Sequence, residues 1–247
     1  MLNSIINSLF WLNRIISKCP NIYYFFQFRY DTFLNTVNYI LIGNLIIIGY
    51  IMTITHKHVD EIFEYDGSQI NPSWAFQEFG IYGSSIITWI GPVNITPDNL
   101  KDFADVGLEI KSSNMVNFIC EFFDQQPPNM RVAYLRQRLL VMIFTEILAE
   151  YGVQTKREGD DIFIEDRKLS ISIASISLSS AKIHFALNLE DKGTPGDVET
   201  IGLFDIRIDN KQIFNHDNLL ELINKTVNRF IDELETIEND ISKTKVL

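Results

Sequence analysis

Residues 131–190 read RVAYLRQRLLVMIFTEILAEYGVQTKREGDDIFIEDRKLSISIASISLSSAKIHFALNLE, and this stretch decides the fold. In its first third Val132, Leu135, Leu139, Met142, Ile143 and Ile147 recur at steps of three and four, a helical period, and Gly152 supplies a stop. The other face of that helix carries Arg131, Arg138, Glu146 and Glu150. Three strand-like runs follow: DDIFIED, KLSISIASIS and KIHFALNLE. In the second, Ser170, Ser172 and Ser175 interleave with isoleucines in the alternating sense of a strand. Runs joined by such short links favour antiparallel neighbours.

Working outward, a KGTPGD loop leads to ETIGLFDIRID, a further strand candidate. DNLLELINKTVNRFIDELETIE predicts an amphipathic helix capped by Asp217, with Leu220, Ile223, Val227, Phe230, Leu234 and Ile237 along one stripe. Upstream, HVDEIFEYDGSQ reads as a strand entering an Asp66-Gly67 turn, and Pro72 and Gly80 bracket a short helix. SSIITWIGP reads as a strand closed by Gly91-Pro92, GLEIK as a short strand, and NMVNFICEFFD as a helix capped by Asn114. The expected class is α+β, a mostly antiparallel sheet flanked by helices.

The 247 residues are 46% apolar, enough for one sizeable core. Residues 1–51 form an apolar leader carrying Arg14, Lys18 and Arg29 against Asp31. With the whole chain at −11 and the leader at +2, the body from Met52 to Leu247 carries −11 − 2 = −13. A body this acidic excludes general nucleic-acid binding, which needs clustered Lys and Arg. Cys19 and Cys120 stand without a CxxC or Cys/His spacing, so neither a disulfide framework nor a metal site is expected, and a reducing cytoplasm suits the body. Within the leader, uncharged residues from about 37 to 54 (VNYILIGNLIIIGYIMTI over 37–54) have the length of a membrane-spanning helix. Two readings stay open: a membrane anchor, or a chain that begins at Met52.

No GxSxG, HExxH, phosphate-loop or GxGxxG motif occurs. Chemistry concentrates in REGDDIFIEDRKLSISIA, which sets Asp160 and Asp161 at a strand entrance and Lys168 at the start of the next strand. A hairpin there brings a cation and two carboxylates to one concave end, where Lys168 holds a carboxylate or phosphate by charge-assisted hydrogen bonds. The rival reading is a solvated turn with gatekeeping charges. Asp66, Ser68 and Gln69 offer polar groups to a ligand, or make an Asx-type turn. Arg136 and Arg138 reach an anion, or sit on a solvated helix face. His184, in an apolar strand, reads as a hydrogen-bonded core or rim residue.

Residues 131–189 resemble the central part of the biotin protein ligases. The stretches that carry the likeness are Arg157-Glu158-Gly159-Asp160-Asp161, Asp166-Arg167-Lys168-Leu169 and His184-Phe185-Ala186-Leu187-Asn188, with the seven-residue step from Asp161 to Lys168. The resemblance implies a biotin/lipoate-ligase-like fold. It gives Lys168 the role of contacting the carboxylate and adenylate phosphate of an activated acid, with Asp161 and Asn188 orienting it. ATP or an acyl-nucleotide is then the implied cofactor and a small molecule the partner. The ligases' glycine- and arginine-rich adenylate loop has no counterpart, which keeps open a metabolite-binding module without turnover. YDGSQINPSWAFQEFG, YLRQRLLVMI, KLSISIASIS, KIHFALNL and GTPGDVETIGLFD further resemble the mainly archaeal family 366 of the domains of unknown function. That likeness implies the same class II synthetase-like fold and a start near Met52.

Overall fold

The structure, a computed structural model, describes residues 53–245 and, before them, only the backbone of three short stretches. Those stretches, Phe25–Gln27, Val37–Ile42 and Leu45–Tyr50, are extended and pair antiparallel in that order. Where described, the leader is therefore strand over positions read as part of a helix, in keeping with the β-branched residues that fill them. The rest of the leader, including positions 43, 44, 51 and 52 of the expected span at 37–54, lies outside the described residues. Among the described residues no helix is long and apolar enough to cross a membrane.

From Ile54 the chain is a separate compact unit. Its main sheet runs β7(Ser170–Ile176)-β8(Ala181–Asn188)-β3(Lys111–Phe122)-β2(Ser85–Asn94)-β1(Thr55–Val59). All neighbours are antiparallel except β1 and β2. A second, small sheet joins β4(Lys156–Glu158), β5(Asp161–Ile164) and β6(Arg167–Lys168). The helices are α1(Trp74–Phe79), α2(Met130–Glu150) and α3(His216–Lys243).

The long central strand β3 corrects a helical reading of NMVNFICEFFD. From Met115 to Phe122 every residue is buried. A strand covered on both faces loses the alternation that betrays a half-buried one, so an apolar run of this length is ambiguous between helix and strand. Even-numbered β3 side chains face the helices: Phe118 packs on Phe185, which Phe144 of α2 meets edge-on, and Phe122 meets Phe230 of α3. Odd-numbered ones face the other way and share that side with Lys182, His184, Ala186 and Asn188 of β8 by register.

Four further readings shift. β2 runs on through Gly91-Pro92, with a register irregularity between Gly91 and Val93 that accommodates the proline. The Phe63 carbonyl packs so closely on Gly91 that an added Cβ there would lie 2.0 Å from its oxygen. ETIGLFDIRID is a 3-10 turn, Leu203–Asp205, and a two-residue ribbon in place of a strand. The cap of α3 is Asn215, whose Oδ1 accepts from Asp217 N and Asn218 N, so the helix starts slightly earlier than Asp217 suggests. On α2 the buried side chains include Ala133, Gln137, Leu140, Phe144 and the expected Ile143 and Ile147, while the expected Leu135 and Met142 are exposed. The polar Gln137 conceals the true stripe in the sequence.

Candidate functional site

The face of the sheet away from α2 and α3 ends, near Met115, Asn188 and Ile171, in a cavity of about 310 Å³. The sheet supplies its floor: Met115, Ile171, Ile173 and His184, with Ser112 and Asn188 at the strand ends. Tyr65 closes one side, the irregular segment from Asn99 to Ile110 covers another, and the loop from Thr194 to Thr200 a third. A volume of this size suits a small metabolite.

The charged wall comes from the small sheet. β5 and β6 pair as a hairpin that turns at Glu165, at φ 57. Lys168 Nζ thereby lies 2.8 Å from Asp161 Oδ2, the two side chains 25% and 33% exposed. Two backbone bonds pin the lysine: its N–H donates to Glu199 O, and its carbonyl accepts from Ile201 N. Asn188 Oδ1 accepts from Ser112 Oγ at 3.0 Å, and its amide reaches the Lys168 carbonyl at 3.4 Å.

Asp160 is held from behind by α2. Arg138 Nη1 donates to one oxygen at 2.8 Å and Gln137 Nε2 to the other at 2.8 Å, the latter also donating to Ser172 Oγ. Burial and the neighbouring Asp161 raise the Asp160 carboxyl above the ordinary range, against the pull of Arg138, Lys168 and Gln137. Gly159, at φ 67, makes the clamp sterically feasible, because a Cβ there would lie 2.6 Å from Arg138 Nη1. Gln137 Oε1 is left buried without a partner. Across the cavity Asp105, in the covering segment, is also raised, by burial and by Asp102 and Asp161, with Lys168 opposing.

Of the residues singled out in the sequence, Lys168, Asp160, Asp161 and Asn188 come together on this wall. Arg138 does not line the cavity and acts on Asp160. Ser68 and Gln69 are elsewhere: Ser68 N donates to Asp66 Oδ1 in an Asx turn, and Gln69 braces the loop between Asp66 N and Glu64 O. Their turn brings Tyr65 to the cavity in their stead. Arg136 pairs with both oxygens of Asp124 and lies over the Phe122 ring. His184 is buried beneath Tyr65, ring centroids 3.6 Å apart, with Nε2 on Asn117 Oδ1. Burial lowers it to about 3, so it stays neutral at physiological pH.

Tyr65, Asp105 and Gln137 belong to no motif that marks them in the sequence. Only Asp105 has a sequence signal, an unusually long irregular segment rich in aspartate between the second and third strands of the main sheet.

The match to known proteins spans this whole unit. The sequence profile described as "Domain of unknown function (DUF366)" matches residues 54–245. The chain belongs to the DUF366 family. Its similar proteins include Uncharacterized protein MJ0805 of Methanocaldococcus jannaschii, 36% identical over 192 residues, which are 75% of this chain and 82% of that one. A solved "Protein of Unknown Function from Pyrococcus horikoshi" is 34% identical, and superposes with a TM-score of 0.71 over 79% of this chain and all of that one. This DUF366 protein also aligns with a biotin protein ligase from Aquifex aeolicus, solved in complex with biotin and ATP. That alignment has 10% identity and a TM-score of 0.49, over 74% of this chain and 72% of that one. A likeness so distant carries no argument about the site.

Proposed function

We propose that the cavity binds a small carboxylic acid, free or as an acyl group, in a ligase- or acyltransferase-like protein, with Lys168 holding the carboxyl. The observation that carries this reading is the position of Lys168 and Asp161 on one wall of a cavity whose floor, Met115, Ile171 and Ile173, is apolar. An ammonium at the rim gives a charge-assisted bond to a carboxylate, and the apolar floor takes the body of the molecule. Asn188, tethered to Ser112 and to the Lys168 backbone, offers an amide to the same group.

A second reading, a metabolite-binding module without turnover, is favoured by the charge of the wall. The lining holds Asp102, Asp105, Glu109, Asp160, Asp161 and Asp197 against Lys101, Lys111 and Lys168, and no arginine. Six acids against three lysines disfavour a bare triphosphate on this wall. Titration calorimetry with a broad panel of small carboxylic acids tests binding. At least one should bind, and Lys168→Ala should weaken it by about tenfold or more. If no acid binds, or Lys168→Ala changes nothing, the proposal falls. Pyrophosphate release with ATP and a bound acid decides for the ligase over the module.

A further inference from the structure

We infer that the ligand is an α-amino acid, or its acyl derivative, with an apolar side chain. This rests on the carboxylic-acid reading and narrows it. The Lys168–Asp161 ion pair is already formed at 2.8 Å on the cavity wall. A plain carboxylate can join Asp161 on Lys168, whose ammonium has three donors, but it then brings a second negative charge onto one cation. That charge sits beside Asp160, which Arg138 and Gln137 already hold, and near Asp105, which makes no ion pair among the described residues. Two half-buried carboxylates sharing one ammonium leave a net negative charge whose desolvation nothing offsets. Like-charge crowding adds to that cost, since the wall already carries more acids than lysines.

A ligand bearing an ammonium next to its carboxylate avoids the loss. Its carboxylate joins Lys168 and its ammonium joins Asp161, on the wall that faces Asp105, so the pair gains one charge of each sign. The ammonium and carboxylate of an α-amino acid are separated by roughly the spacing of the ion pair they join. The side chain then lies on Met115 and Ile171 beneath Tyr65, where neutral His184 adds no charge.

Matched probes on the full chain test this at pH 7: norleucine, hexanoate and hexylamine, which share one carbon skeleton. Norleucine should bind about tenfold or more tightly than either of the others. Asp161→Asn should shrink the norleucine-to-hexanoate ratio by about fivefold or more, because the ammonium loses its partner while Lys168 is freed for hexanoate. The ratio in the unmutated protein decides even if that variant folds poorly. Hexanoate or hexylamine within about threefold of norleucine overturns the inference. If hexanoate binds as tightly as norleucine and depends on Lys168, the carboxylic-acid reading stands while the amino-acid inference falls. If none of the three binds and the acid panel is silent, both fall.

Discussion

His184 should make the protein sensitive to mild acid, well above the range where carboxylates titrate. The imidazole is buried, stacked on Tyr65, and bonded through Nε2 to Asn117 Oδ1; burial lowers it from 6.5 to about 3. The unfolded chain accepts a proton near pH 6.5 that the native one refuses. The stabilising contribution is therefore full above pH 6.5 and drains away as the pH falls toward 3. Between pH 7.5 and 4.5 the loss from this one group is on the order of 2–3 kcal/mol, a large share of the roughly 5–15 kcal/mol typical of a domain. The assay is urea unfolding at half-unit steps across that range. The control is His184→Gln, which keeps an N–H for Asn117 and has nothing to titrate. His56 and His58 are also lowered by burial, more weakly opposed by Asp60 at His58, but they remain in both proteins and cancel in the difference. The wild-type stability should fall more steeply by close to one proton per molecule. A slope difference under about half a proton, or a His184 ring signal titrating near 6.5, refutes the reasoning.

Two stability predictions concern the polar groups that brace the same face. Lys182 is buried against Glu121 Oε2 at 3.1 Å, with Ser73 N and Ser180 Oγ donating to the other oxygen and the Asn71 carbonyl accepting from the lysine. Lys182→Met should cost about 3–5 kcal/mol by leaving a buried carboxylate uncompensated, and adding Glu121→Leu should recover much of it. Denaturation midpoints of the single and double variants check this, and a double variant no better than the single speaks against the account. Gly159→Ala should cost about 1–2 kcal/mol for the left-handed backbone alone and should push Arg138 off Asp160. Thermal unfolding with and without Arg138→Gln tests whether the second effect exists, since the two losses should then be less than additive.

The sequence made the α+β class legible because its strands after Gly152 alternate and its two long helices keep their period. It failed at β3 for a physical reason. A strand buried on both faces carries no period of two, and Asn114 beside a run of Met, Val, Phe and Ile imitates a capped helix. Its odd positions are also the ones that matter most: Asn117 holds His184, Glu121 holds Lys182, and Met115 floors the cavity. Reading the run as a helix scatters these three residues around a cylinder. Reading it as a strand sets them in one column beside Asn188, His184 and Lys182 of β8.

The site was legible where it is local and hidden where it is assembled. Asp161 and Lys168 lie seven residues apart, so a hairpin alone brings them together, and the sequence contains the hairpin. Asp160 shares that hairpin, yet its partners Gln137 and Arg138 lie 23 and 22 residues away on a helix whose buried face the sequence reads correctly only at Ile143 and Ile147. Ser68 and Gln69 show the converse error. Their polar side chains in a turn look available, but short-range bonds to Asp66 and Glu64 consume the loop's polar groups before any ligand arrives. The same competition applies to Lys168, which in this structure already has a partner. On the amino-acid inference, a ligand ammonium beside Asp161 offsets the negative charge that its carboxylate brings to Lys168, whereas a plain anion only adds to the acids of that wall.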